Sequence, residues 1–471
     1  MIRTFALLLA IAALIAVTAK VSDARVLDRA LAKDDRSEAY DEFERLLPLA
    51  AASDDEKNAD EVRDCLTKGK SPYLTIAAVE AVRQAEANKR SSGKVFLPEV
   101  LALMGQDFDK LHKEEIVPVN VIACLGVLAK GDEEASLKVV RALIDWQKWS
   151  ENQIVRLRHM AERVLLDLTE EDSAFNPDTL AFWEWWLRNK ENKQKVDDAD
   201  KPPEKRSKTA PIIFKEPMVG TRVVFVIDVS DSMKWPIKDE DIDKIKKKAD
   251  HLNWDEMPDP PTPMALAKAE LRHSIDKLRP DKSDGKDKKK GTRSAKGDPE
   301  MRHFAIVTYS TEVVLWSEGW VEATDKNCNV WMDNVDDLEP DSTTNIHGAI
   351  KQAFELSEKR NKTENPELDK DCVLTGAHTI VFLTDGYPTW SDDSSDSSAK
   401  DEWGNPVGNG EYVKRDKLLE LQQYINRFRK VVVNTVGIGI HDKKLMKGFA
   451  EDSGGGYTDW GCGIDYGQKK D

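Results

Sequence analysis

The sequence predicts an α/β fold, a doubly wound and mostly parallel sheet, preceded by an all-α domain of packed helices. Three observations predict it. From about residue 25 to 190 apolar residues recur at helical spacing, with short polar connections between the stripes. From 217 to about 466 short continuous apolar runs alternate with amphipathic helical stretches. Between the two, residues 191–216 are charged, proline-bearing and nearly free of large apolar side chains, which reads as an interdomain linker.

The elements follow in chain order. Residues 1–24, "MIRTFALLLAIAALIAVTAKVSDA", have a basic start, an apolar stretch from Phe5 to Val17 and small residues at Val17 and Ala19. That is the pattern of a cleavable secretory signal, cut after Ala19 or Ala24, and it predicts export to a periplasm, a cell surface or the medium. The stretch is shorter than the roughly 20 residues needed to span a bilayer, which leaves a retained anchor as the second reading; no later segment is apolar enough to cross a membrane, so no integral span is expected after cleavage.

In the helical region Ser71-Pro72 supplies a cap and a first-turn proline ahead of Ile76, Ala78, Val79 and Val82. "DEEASLKVVRALIDW" carries Leu137, Val140, Leu143 and Ile144 at helical spacing, and the next stripe is Ile154, Leu157, Ala161, Val164, Leu165 and Leu168. Short amphipathic helices with short loops resemble degenerate HEAT or armadillo pairs, although no clean repeat is present. Trp183, Trp185 and Trp186 cannot all face one core, so at least one should lie near the surface or under a neighbouring element.

Beyond the linker, "TRVVFVIDVS", "RHFAIVTYSTEVVLW", "HTIVFLTDG" and "KVVVNTVGIGI" read as strands. "PMALAKAELRHSIDKL", "TNIHGAIKQAFELSEKR", "KRDKLLELQQYINRFR" and "KKLMKGFAEDSGGGY" read as helices, the last stopped by glycine. Each crossover helix must return across the sheet, which makes the strands parallel, and runs such as "VVFVI" and "TIVFL" suit strands buried on both faces.

Composition narrows the function classes. A formal net charge of −16 argues against a nucleic-acid binder, and the lysines of 284–297 are diluted by Gly, Ser and Asp as in a solvated loop. The five cysteines (Cys65, Cys124, Cys328, Cys372, Cys462) are far apart and form no C-x-x-C pair, so neither a disulfide framework nor a zinc site is indicated. The histidines form no H-E-x-x-H.

Ligands of open α/β sheets gather where the strands end. "FVIDVSDSM" at 225–233 sets Asp228, Ser230 and Ser232 at alternate positions, so in an extended chain their oxygens point one way. "DSTTNIHGA" places Thr343 and Thr344 before a helix, and "LTDGYPT" places Asp385 at the end of a strand. Two carboxylates and three hydroxyls, with no nitrogen or sulfur, suit Mg²⁺ or Mn²⁺ and serve zinc or copper poorly. Two formal negative charges leave a dication room for an outside oxygen, and a carboxylate from a protein partner would fill that place.

The blocks "VVFVIDVSDSM", "HFAIVTYST", "STTNIHGAI", "TIVFLTDGYPT" and "VVVNTVGIGI…LMKGFAEDSGGGY" resemble, in their order over about 215–465, the von Willebrand factor A domain with its metal-ion-dependent adhesion site. The resemblance implies direct metal contact by Ser230, Ser232 and Thr344, and contact by Asp228 and Asp385 directly or through water. It implies that Gly386 lets the third loop turn tightly, and it implies an interaction module rather than an enzyme. The blander readings are that the serines form turns or caps, that Thr344 caps the following helix, and that Asp385-Gly386 is a plain turn.

The chain departs from the family in three places. Asp231 stands where a glycine is common, putting a further carboxylate beside the site. Insertions at 235–261 and 390–412 leave the same edge and are expected to shape the partner surface, with Trp235, Trp254, Trp390 and Trp403 as contact anchors or as loop packing. The acidic run within the second insertion lacks an EF-hand register.

Two other functions compete. A hydrolase could use Asp228 as a nucleophile, but Ser230 occupies the place of the usual second aspartate, and no G-x-S-x-G, phosphate loop or Cys/His pair is present. A scaffold would hold the metal and engage no ligand.

Overall fold

The computed structural model describes residues 36–68, 72–88, 93–105, 116–150, 155–169, 180–192, 212–213, 216–280, 301–356, 376–392 and 413–461. The expected signal at 1–24, most of the linker, the basic stretch at 284–297, Trp403, Cys372 and Cys462 lie outside these residues. Cys65, Cys124 and Cys328 are free thiols. The chain divides into two compact units between Asp107 and Phe108.

The first unit holds α1 (Arg36–Ala51), α2 (Glu56–Lys68), α3 (Pro72–Ala87) and α4 (Leu97–Gly105). Along α1 the buried residues Ala39, Phe43, Leu46 and Ala50 recur every three or four positions, one stripe of a helix facing a core. The helix α3 begins at Pro72, and Ile76, Ala78, Val79 and Val82 are buried as expected. Ala77, Ala81 and Glu80 are buried too, so α3 is enclosed, and Glu80 accepts from Arg83 Nε (2.7 Å) and Gln84 Nε2 (3.0 Å).

The second unit opens with α5 (Ile116–Ala129), α6 (Glu133–Ser150), α7 (Val155–Thr169) and α8 (Leu180–Asn192). In α6, Val140, Leu143 and Ile144 are buried and Leu137 half-buried; in α7 the stripe Leu157, Ala161 and Leu165 is buried. Trp183 and Trp186 are buried while Trp185 is half-buried, the division expected of three tryptophans on one short helix.

A second face of α7 is polar and equally buried. Trp183 Nε1 donates to Glu162 Oε2 (2.6 Å), Arg156 donates to the carbonyl of Arg429, and His159 Nδ1 accepts from the Gly220 N–H (3.0 Å). On α5, Asn120 Nδ2 donates to the Phe428 carbonyl (2.7 Å). These partners precede the strands, so α5 and α7 dock at the amino ends of the sheet.

After a short antiparallel pair, β1 (Ile212–Ile213) and β2 (Glu216–Pro217), comes a seven-stranded sheet. Its strands are β3 (Arg222–Asp228), β4 (His303–Tyr309), β5 (Val313–Leu315), β6 (Val321–Glu322), β7 (Thr379–Thr384), β8 (Val432–Gly439) and β9 (Tyr457–Gly461). The order is β5-β4-β3-β7-β8-β9, with β6 also paired to β4. Every pair among β4, β3, β7, β8 and β9 is parallel, while β5 and β6 run antiparallel to β4.

Side-chain alternation along β3 builds two cores. Val223, Phe225 and Ile227 pack with Leu266, Leu271 and Ile275 of α10 (Pro263–Lys277). Val224 and Val226 pack with Ile346, Ile350 and Phe354 of α12 (Ile346–Glu355), Leu418 of α13 (Arg415–Asn426) and Phe449 of α14 (Lys443–Ser453). Helices therefore cover both faces, as the apolar runs predicted. Gly454 ends α14 at φ 72°, in the left-handed region that favours glycine.

Six elements went unforeseen: the short pair β1 and β2 at the end of the expected linker, β6, β9, α9 (Asp239–Lys248) and α11 (Asp325–Asn334). The insertion at 235–261 is not merely a longer passage, since it contains α9, whose Ile245 joins the core and whose Lys248 Nζ donates to the Asp459 carbonyl (2.7 Å). Trp254 packs on that core and donates to the Ala249 carbonyl (2.9 Å), which makes it loop packing.

Burial holds His159 down to about 3 from its ordinary 6.5, and His378, whose Nδ1 accepts from the Thr221 N–H (3.0 Å), is likewise held well below its ordinary value by burial. Unfolded chain takes up a proton near 6.5 that the folded His159 refuses, so stability is lost as pH falls below 6.5 and the loss levels off near 3. Between pH 7.5 and 5.0 His159 alone should cost about 2 kcal/mol. Urea unfolding at the two pH values should show a drop smaller by about that amount in His159→Gln; equal drops would contradict the assignment.

Candidate functional site

Every strand of the parallel set ends on one edge, and there the structure brings the five sequence-predicted residues together. β3 and β7 are neighbours in register Ile227↔Leu383, so Asp228 ends beside Thr384 and Asp385 begins the next loop. Ser230 Oγ lies 3.2 Å from Ser232 Oγ, and Ser232 Oγ donates to Asp385 Oδ1 (2.7 Å). A Cβ built on Gly386 would stand 3.6 Å from both Ser232 Oγ and Thr344 Oγ1, which places the threonine hydroxyl in the same cluster.

Asp228 is fully buried and accepts from three donors. The Ser230 N–H reaches Oδ1 (2.8 Å), while Thr384 Oγ1 (2.6 Å) and the Tyr309 hydroxyl (3.3 Å) reach Oδ2. Tyr309 stands opposite Asp228 in the β3–β4 register and also donates to the Leu383 carbonyl (3.2 Å). Burial and then the Asp228 charge push its phenol well up, which keeps it an O–H donor. Neither Tyr309 nor Thr384 was singled out by sequence. A tyrosine at the last position of a buried strand, beside an aspartate strand end, is the signal that could have found it.

Both carboxylates are burdened by their burial. Burial raises Asp228, opposed by its hydrogen bonds; burial and then the charge of Asp228 raise Asp385 well above the usual carboxylate range. Among the described residues neither carboxylate has an ion-pair partner. A buried acidic pair completed by hydroxyls fits a hard dication, which would supply the missing positive charge. Among the described residues no group of three His, Cys, Asp or Glu could hold a metal, so the hydroxyls would have to complete the ligand set.

Several blander readings can now be weighed. Asn345, not Thr344, caps α12: its Oδ1 accepts from the Gly348 N–H (2.8 Å), leaving the Thr344 hydroxyl to the cluster. Ser230 holds the N-cap position of the short turn 231–234 but makes no side-chain cap bond. Thr343 faces away and bonds Thr311 Oγ1 (2.8 Å). Gly386 has no positive φ, so a tight glycine turn is not its reason; any side chain longer than a methyl would enter the oxygen cluster. Asp231 is paired with Lys234 Nζ (2.7 Å), which neutralises the carboxylate added at the rim.

Residues 296–404 and 410–459 match the profile of the von Willebrand factor type A domain. The match covers less than half of the chain and begins after the loop of Asp228, Ser230 and Ser232. Among solved structures, the chain is similar to a von Willebrand factor type A protein from Catenulispora acidiphila, at 16% identity and TM-score 0.28, over 51% of this chain and 38% of that one. It is similar also to the PilB minor pilin from Streptococcus sanguinis, at 14% identity and TM-score 0.31, over 52% of this chain and 59% of that one. No curated protein matches the chain. No helix among the described residues is long and apolar enough to cross a membrane.

Thr384→Val removes the shortest hydrogen bond to the buried Asp228. It should lower stability by about 1.5–3 kcal/mol. Urea unfolding in chelator measures this, and a change below about 0.5 kcal/mol would mean that the contact does not position Asp228.

Proposed function

We propose that the second unit is a partner-binding module of the metal-dependent adhesion type. Asp228, Ser230, Ser232, Thr344 and Asp385 would hold Mg²⁺ or Mn²⁺, and the ion would offer an open coordination place to a carboxylate of a protein partner. The observation that carries this reading is the meeting of three separate loops in one oxygen cluster, with Ser232 Oγ 2.7 Å from a buried Asp385 that has no ion pair among the described residues. The chain's own part is to fix these oxygens on strand ends, exclude side-chain cations and keep space above Gly386.

The reading assigns no catalytic role. The metal-bearing part of that unit would be residues 217–466, and the helices of 25–190, HEAT-like in pattern and shared between the two units, would serve as spacer or second docking surface. With the signal at 1–24 removed, the working place of the module would be outside the cytoplasm.

Saturating Mg²⁺ should raise the unfolding free energy of the wild type by about 2.7 kcal/mol at a hundredfold excess over Kd. Asp385→Asn and Ser232→Ala should lose most of that gain, and chelator should abolish it. Equal stabilisation of all three proteins would show that the ion binds elsewhere. In a pull-down from native extract, the wild type should retain a partner in Mg²⁺ and release it in chelator, while Asp385→Asn retains none. Capture that ignores both chelator and mutation would rule out metal-mediated recognition, and ion binding without any carboxylate ligand would leave a scaffold.

A further inference from the structure

Beside the oxygen cluster stands a side chain that the metal reading does not use. Trp235, three residues past Ser232, is 60% exposed, the most exposed large apolar side chain among the described residues. Its backbone is fixed, since its N–H donates to the Ser232 carbonyl (3.0 Å), but no hydrogen bond or ring contact holds its indole among the described residues. The two other insertion tryptophans among the described residues are less exposed. Trp254 is packed on the core with its indole N–H on the Ala249 carbonyl (2.9 Å), and Trp390 is half-buried.

Beyond it the edge mixes apolar and charged side chains, with Asp255, Glu256 and Asp259 exposed beside Pro258 and Pro260. The Ile237 N–H donates to the Pro261 carbonyl (2.9 Å), and Pro263 Cγ lies 3.9 Å from where a Cβ on Gly439 would stand. The loop of Trp235, the exposed prolines Pro258 and Pro260, and the end of β8 with Ile440, 43% exposed, are therefore successive neighbours. Lys234 cancels Asp231 within this rim, so an incoming acid meets no unpaired carboxylate of that turn.

We propose that this edge recognises an extended segment of a partner protein in which an acidic residue is flanked by apolar side chains, the acid addressing the site of Asp228, Ser232 and Asp385 and the apolar flank covering Trp235. The inference rests on the metal reading for the acid and on the exposure of Trp235 for the flank. A lone carboxylate bound to an exposed ion is a weak and indiscriminate contact, whereas a covered tryptophan is among the side chains that most often dominate an interface. A charge contact joined to an aromatic one two or three residues away selects a sequence.

The test uses the full chain and two acetylated pentapeptides, Gly-Leu-Glu-Leu-Gly and Gly-Ser-Glu-Ser-Gly, titrated by calorimetry in Mg²⁺ and in chelator. The leucine peptide should bind about tenfold more tightly or better. Trp235→Ala should erase that preference while leaving the serine peptide unchanged, and Trp235→Phe should keep most of it. Equal affinities for the two peptides, or an equal loss of both in Trp235→Ala, would overturn the role of Trp235 and leave the metal reading standing. A preference that survives chelator and Asp385→Asn would uphold the apolar contact and remove the metal from it. A dimer of the wild type that Trp235→Ala converts to monomer, with both peptides ignored, would show a second copy as the occupant and overturn the proposal.

Discussion

The pairing of β3 with β7 is the constraint on which the site depends. With Ile227 opposite Leu383, the next residues of both strands are polar, and Thr384 meets Asp228 while Asp385 passes into the loop. A slip of one residue would turn Val223, Phe225 and Ile227 from α10 towards α12 and carry Asp228 off its partner. Burial of those three side chains, at about 1.5–3 kcal/mol each, therefore holds the carboxylate in place as well as the core. Packing energy far from the oxygens sets their geometry.

The same logic extends to the neighbouring elements. β4 sets Tyr309 opposite Asp228, so a third strand end contributes a hydroxyl to a carboxylate enclosed by apolar side chains. Asn345 takes over the capping of α12, and the threonine before it is released for the cluster. The outcome is an arrangement that opposes itself electrostatically: two buried acids, the charge of Asp228 raising Asp385. Such an arrangement costs stability that the packing of the surrounding strands must offset.

Much of this was legible in the sequence, for identifiable reasons. Strands buried on both faces leave continuous apolar runs, and β3, β4, β7 and β8 could be read from theirs. The site residues stand at strand ends or helix starts, where alternate spacing and position already suggest convergence. What escaped was whatever depends on distant partners. β9 is an edge strand with half-buried side chains and little apolar signal, and α9 has only Asp241 and Ile245 buried. Nothing local separates Tyr309 from a core aromatic, nor Thr384 from any strand threonine. Arg156, His159 and Glu162 read as the wet face of an amphipathic helix, and only the sheet beside them makes that face dry.

That polar face explains how the helices and the strand-end loops divide the sheet between them. In a parallel set all amino ends share one edge, and the first N–H groups there have no preceding strand residue to complete the ladder. Gly220 and Thr221 find acceptors in the Nδ1 atoms of His159 and His378, which burial keeps neutral, while the carbonyls of Phe428 and Arg429 find donors in Asn120 and Arg156. A lysine in the place of His159 could not accept, and an acid would carry an unpaired charge into the interior. The helices from 116 onward thus complete the hydrogen bonding of the sheet at its amino edge. That edge is closed by polar contacts, and it is at the opposite, carboxyl edge that Asp228, Asp385 and the exposed Trp235 are found.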